Sequence, residues 1–312
     1  MTALRRIAIV GGTALVVVGL VAAAAVADEL GDYLERVQDS TYTANRLTVS
    51  VWGDETQVSS AFVEHAPGSE MVRVDSSWTM AGNGRSVVVD DEPEGVAFVT
   101  HADPITTDRY TIGSVAEAQH MRRDCTVVQV LEDGVVRANF LIDSRTGAPL
   151  ITETYTDGGE VFRRSSLQNF RAYRTYAAPM DPNDVEYEVV MPGDSELLPA
   201  TVAGYVLVEA FPAPGGAEQG FYSDGLFTFS LFVLGHETEV SGFENASVFS
   251  TATGRYDLAA TASDVRVHWT DQRHDFVIVG DLPPDHLAEV LAELPLPRDR
   301  SVLARLWSKL FG

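Results

Sequence analysis

The chain has 312 residues, 45% apolar and 21% charged, with a formal net charge of -23 and one cysteine, Cys125. The acid excess repels nucleic-acid phosphates and leaves no basic footprint for DNA or RNA. A single cysteine excludes an intramolecular disulfide, a CxxC redox centre and a multi-thiolate metal site, and Cys125 reads as a small buried apolar residue.

Arg5 and Arg6 precede an apolar run from Ile7 to Ala27 whose only polar residue is Thr13, closing on Ala25-Val26-Ala27 before Asp28. This is the layout of a signal peptide, with cleavage expected after Ala27. The run is also long enough to stay as a single-pass anchor. In both cases the rest of the chain is expected to be exported, periplasmic or otherwise extracytoplasmic, because the two arginines hold the leading end inside. That exported portion, about 285 residues, suits two domains and two cores.

Leu30, Tyr33, Leu34 and Val37 recur at helical spacing behind Asp28 and Glu29, which predicts one short helix. The period then becomes two at Leu47, Val49 and Val51, at Ala61 and Val63, at Met71, Val72 and Val74, and in Ser86 to Val89. These are strand signals. Alternation resumes through Val127 to Leu131, Val135 to Ile142, Leu150 to Tyr155 and Glu160 to Phe170, separated by Asp133-Gly134, Thr146-Gly147 and Asp157-Gly158-Gly159. Such turns between alternating runs predict hairpins, so 28–172 reads as one antiparallel meander covered by the helix.

The Pro- and acid-rich stretch from Ala177 to Pro199 reads as a connector, set at 173–197. A second, smaller β-rich domain, 198–296, is expected from Tyr205 to Phe211, Gln219 to Leu234, Ser247 to Ser250, Arg255 to Thr261, Val265 to Thr270 and Asp275 to Val279. A closing helix starts at Pro283-Pro284-Asp285 and turns Leu287, Val290, Leu291 and Leu294 to one side. The fold class is therefore α+β. The tail, 297–312, carries Arg298, Arg300, Arg305 and Lys309 beside an apolar stripe that includes Leu303, Leu306 and Trp307, an amphipathic basic helix. Arg300, Arg305, Trp307 and Lys309 are candidate membrane contacts; docking on the chain's own acidic surface is the alternative.

No constellation predicts catalysis, and no cofactor is expected. The seven histidines are scattered, with no pair at the i, i+4 spacing of a zinc site. Gly193-Asp194-Ser195 lies in the connector without a strand-to-helix elbow, and His274-Asp275 are strand neighbours that point to opposite faces. A secreted hydrolase would need a nucleophile and base in one cleft.

Phe221-Tyr222-Ser223-Asp224-Gly225-Leu226, running into Phe227 to Val233, resembles the SDGL-plus-strand signature of the MucB/RseB family, extracytoplasmic regulators of sigma-E anti-sigma factors. Asn139 to Leu150, with Asp143, Thr146-Gly147 and Pro149-Leu150, is similar to the hairpin of that family and of the LolA/LolB lipoprotein carriers. Tyr42-Thr43-Ala44 stands where these proteins have Tyr-x-Gly. The stretch Arg122 to Cys125 and the basic tail depart from the family pattern. The resemblance implies a curved, half-open LolA/LolB-like barrel that holds acyl chains or lipoprotein, followed by a smaller domain that contacts an anti-sigma factor. It implies that the partner is shielded from site-one proteolysis until an envelope-stress signal displaces the regulator. The rival reading is a lipid or lipoprotein carrier of the LolA/LolB/LppX type with no regulatory partner.

Candidate ligand-lining residues are Leu47, Val49, Val51, Trp52 and Trp78, which otherwise simply pack under the helix. Candidate partner contacts are Tyr222, Ser223, Asp224, Gly225 and Leu226, which otherwise form a turn shaped by Gly225.

Overall fold

The computed structural model describes residues 16–17, 30–53, 55–67, 69–81, 87–90, 96–100, 109–173, 197–213, 217–235, 240, 242–244, 246–271 and 273–298. Nearly all of the expected export segment, most of the expected connector, and the tail from 299, with Arg300, Arg305, Trp307 and Lys309, lie outside them.

The first sheet contains β1 (Val16–Val17), β2 (Tyr42–Trp52), β3 (Glu55–Ala66), β4 (Ser69–Ala81), β5 (Val87–Asp90) and β6 (Val96–Thr100). It continues with β7 (Tyr110–His120), β8 (Arg123–Glu132), β9 (Val135–Asp143), β10 (Pro149–Tyr155) and β11 (Val161–Ala172). In space the order is β1, β7, β8, β9, β10, β11, β2, β3, β4, β5, with β6 also on β4, all antiparallel and unclosed. The expected single meander is corrected here. Two meanders, β2 to β4 and β7 to β11, are joined where β11 pairs with β2, Arg163 opposite Ser50 and Leu167 opposite Arg46.

The predicted opening helix is α1 (Leu30–Gln38). It ends against the β9–β10 turn, where Gly147 lies so near the helix that a Cβ on it would sit 2.6 Å from the Arg36 carbonyl oxygen. Asp143 organises that turn: its backbone oxygen accepts from the Thr146 and Gly147 amides, and its Oδ2 accepts from the Thr146 hydroxyl and from Arg123. The likeness at Asn139 to Leu150 therefore marks a helix-docking turn.

The second sheet runs β12 (Thr201–Val202), β13 (Tyr205–Ala213), β14 (Ala217–Ser223), β15 (Thr228–Gly235), β19 (His274–Gly280), β18 (Val265–Thr270), β17 (Arg255–Ala260) and β16 (Ser247–Ser250). The run Gln219 to Leu234 is two strands, β14 and β15, with Asp224 to Phe227 as the turn between them. Helix α2 (Pro284–Glu293) closes the sheet, with Pro284 in its first turn and Leu287, Val290 and Leu291 fully buried.

Two separate cores were expected, but the largest apolar cluster crosses from one sheet to the other. It joins Trp52, Tyr110, Val130, Ala138 and Phe162 of the first sheet to β13, β14, β15, β18, β19 and α2 of the second. Two smaller clusters, around Tyr42, Val63 and Leu167 and around Cys125, Leu141 and Leu150, serve the first sheet. Among the described residues no helix is long and apolar enough to cross a membrane.

Candidate functional site

The seam between the sheets gathers a cluster of charged side chains around Arg109, Glu132, Arg137 and His286, and two irregularities in the first sheet help build it. The register of β8 against β9 shifts between Val130 and Leu131, leaving Arg137 as an extra residue between Val136 and Ala138. Arg137 and Ala138 are consequently both buried, although neighbours on a regular strand face opposite ways. A second shift, between Thr154 and Tyr155, leaves Phe162 extra on β11 beside Arg163. Phe162 turns inward to meet Trp52 edge-on at 5.3 Å between ring centroids.

Arg109, just before β7, spans the seam. Its Nε donates to Glu132 on β8, its Nη1 to the Ala203 carbonyl in the β12–β13 turn at 2.8 Å, and its Nη2 to Glu289 on α2 at 3.1 Å. Arg137 donates from Nη2 to Asp285 at 2.6 Å and holds its Nε 3.0 Å from Glu132. His286, 1% exposed, completes the cluster with Nε2 at 2.9 Å from Glu132 and Nδ1 at 2.7 Å from the Tyr205 hydroxyl. Because a carboxylate only accepts, Nε2 carries the proton. The Arg109 Nη2, also 2.9 Å from Nε2, is then a close neighbour and not a donor to it.

Burial by itself would raise the Glu132 carboxyl. The hydrogen bond and charge of His286, followed by those of Arg109, outweigh burial and hold it at about 2. Burial, with Asp224 adding to it, pushes the Tyr110 and Tyr205 phenols far above their ordinary range, so both stay protonated as donors.

Elsewhere the seam is less satisfied. Arg163 donates one hydrogen bond, from Nη1 to the Asp281 carbonyl at 3.2 Å. Its Nε and Nη2, and the Trp52 Nε1, are buried with no acceptor among the described residues. Ser50, fully buried, donates across the seam to the Thr261 carbonyl at 3.0 Å.

The anticipated partner turn belongs to this seam. Tyr222 and Asp224 are fully buried and Ser223 is 8% exposed. Asp224 Oδ1 accepts from the Leu226 and Phe227 amides, while Oδ2 accepts from the Tyr110 hydroxyl of the first sheet at 2.5 Å. Gly225 has φ +91°, which suits glycine, and only Gly225 and Leu226 of the five are partly open.

The five anticipated cavity residues do not share a wall. Leu47 and Val49 are partly buried and Val51 is exposed, on the β2 face opposite Trp52, because strand neighbours alternate. Beside Trp52 stand Thr48 and Ser50, with Gln57 and Ser59 across on β3, all buried and polar. Trp78 pairs with Val58, and its side chain lies outside the described residues. Cys125 is buried, and burial raises its thiol pKa. Among the described residues no group of three or more His, Cys, Asp or Glu is arranged to hold a metal ion.

Arg109, Tyr110, Glu132, Arg137 and Tyr205 carry no functional signature in the sequence, and His286 stands there only as one of seven scattered histidines. The only local signal is an arginine inside an apolar strand run, at Arg137.

No family model matches the chain, and no curated protein matches it in sequence. Among solved structures, the MucA/MucB complex of Pseudomonas aeruginosa matches 86% of this chain and 99% of its own, at 17% identity and a TM-score of 0.45. This chain is similar in structure to MucB. MucB solved by itself matches 84% of this chain and 96% of its own, at 16% identity and a TM-score of 0.45. A putative outer membrane lipoprotein-sorting protein domain from Vibrio parahaemolyticus matches 49% of this chain and 94% of its own, at 10% identity and a TM-score of 0.23.

Proposed function

We propose that this protein is an extracytoplasmic, non-catalytic regulator that binds the exported part of a membrane-bound anti-sigma factor and responds to lipid or lipoprotein. One observation carries the reading. The turn that bears the sequence resemblance, Tyr222 to Leu226, is tied by Asp224 to Tyr110 of the first sheet, so the two sheets are coupled at that motif. A carrier needs one ligand-holding sheet, whereas a regulator needs one part that receives a signal and another that acts on a partner. In this proposal the two parts are 28–172 and 198–296. The lipid signal falls on the half-open apolar strip of Leu47, Val49 and Val51, which continues to Val58 on β3.

The test is capture of the affinity-tagged full chain from detergent-solubilised native envelopes, with mass spectrometry of proteins and lipids. The expected result is one single-pass anti-sigma factor, released when lipid or lipoprotein is added. Recovery of lipid or lipoprotein with no such protein would overturn the regulatory reading in favour of the carrier.

A further inference from the structure

Three features of the seam belong together. The charged contacts that bridge it radiate from few side chains: Arg109 alone reaches Glu132, the Ala203 carbonyl and Glu289. Among the described residues the first sheet contributes Trp52, Tyr110, Val130, Ala138 and Phe162 to the shared apolar cluster, with Phe140 packed against it, a small share of the whole. Beside that contribution, Arg163 and Trp52 bury three donor nitrogens with no acceptor among the described residues, while Arg163 stacks over Phe162 at 4.8 Å. Interfaces between parts of one chain that are modest and partly polar permit relative motion.

We propose that the seam is an openable joint, latched by Arg109 and biased toward opening by Arg163 and Trp52, about which the two sheets move as bodies. In the closed arrangement Arg109 satisfies acceptors on both sides, Arg137 and His286 bridge beside it to Asp285 and Glu132, and Ser50, Tyr110 and Arg163 add one hydrogen bond each across the gap. In the open arrangement water reaches the Arg163 guanidinium and the Trp52 indole N–H, which lack acceptors when closed. The opposing preferences make a two-state element, so that a small change at either sheet is converted into a shift between two arrangements. This inference is independent of which partner the protein binds.

Electron-electron distance measurement on the full chain in mild detergent tests it. Spin labels go on Gln168→Cys in β11 and Val248→Cys in β16, both exposed positions, in a Cys125→Ala background. Arg109→Ala is expected to add a second, longer distance. Adding Arg163→Met, which keeps the aliphatic stem and removes the unmet donors, is expected to reduce that population about tenfold. A single unchanged distance in Arg109→Ala, or a second population indifferent to Arg163→Met, overturns the joint. Arg109→Lys, retaining charge but not the three-way fork, stands in if Arg109→Ala does not fold. Failure of both to fold also overturns the proposal, because the seam would then be an indispensable core contact. A capture experiment that recovers no anti-sigma factor leaves these outcomes unaffected.

Discussion

Asp224 holds its turn and the seam with one carboxylate, and its two oxygens separate the tasks. Asp224→Ala is expected to remove two amide caps and the Tyr110 acceptor, lowering stability by about 3 kcal/mol in urea unfolding. Asp224→Asn keeps a carbonyl oxygen for the caps and should cost about half as much. Glu132 supplies a second prediction, in pH. Its carboxyl lies at about 2 in the folded protein against an ordinary 4.5, so the folded state favours the ionised form. The resulting stabilisation is complete above the ordinary value and disappears as pH falls toward 2. Urea midpoints measured down that range should fall for the natural chain, with a shallower fall for Glu132→Gln.

At the level of elements, the contact of α1 with the β9–β10 turn rests on a residue without a side chain. Gly147 has φ +78° and lies against the Arg36 carbonyl. Gly147→Ala therefore meets both backbone strain and a clash with main chain, and a loss of about 2–3 kcal/mol is expected. Hydrogen exchange should locate the loosening in Leu30–Gln38 and not in α2. The short helices were legible because their apolar spacing matches 3.6 residues per turn and survives in the burial of Leu287, Val290 and Leu291. Most strands were legible through alternation, but β6 and β7, the latter carrying Tyr110 into the seam, were not read from the sequence. Alternation also hid the seam: at Arg137 and Phe162 an extra residue turns a side chain inward that a regular strand would send out.

For the whole molecule, the net charge of -23 and the buried clusters respond to salt differently. Surface repulsion is screened within about 10 Å at about 0.1 M salt, whereas buried pairs are screened far less. Thermal midpoints are therefore expected to rise from low salt to about 0.5 M as self-repulsion weakens. A falling midpoint in scanning fluorimetry would show that exposed ion pairs, and not the buried cluster around Arg109, dominate the electrostatics. The same scale holds what the candidate site required: Arg109, Glu132, Tyr205 and His286 are far apart in the chain and meet only because β7, β8, β13 and α2 converge at one seam.

The sequence alone determined the α+β class, the strand-rich body, the closing helix and the exclusion of an intramolecular disulfide, since each depends on composition or on periodicity within a short window. Tertiary structure decided which strands neighbour one another, that β11 pairs with β2, and that the resembling turn is buried at a joint. The separation of Leu47, Val49 and Val51 from Trp52, by contrast, follows from alternation along β2 itself. The physical reason is range: hydrophobic period and turn chemistry act over a few residues, whereas the pairing of β11 with β2 and the meeting of Tyr110 with Asp224 join chain segments more than a hundred residues apart.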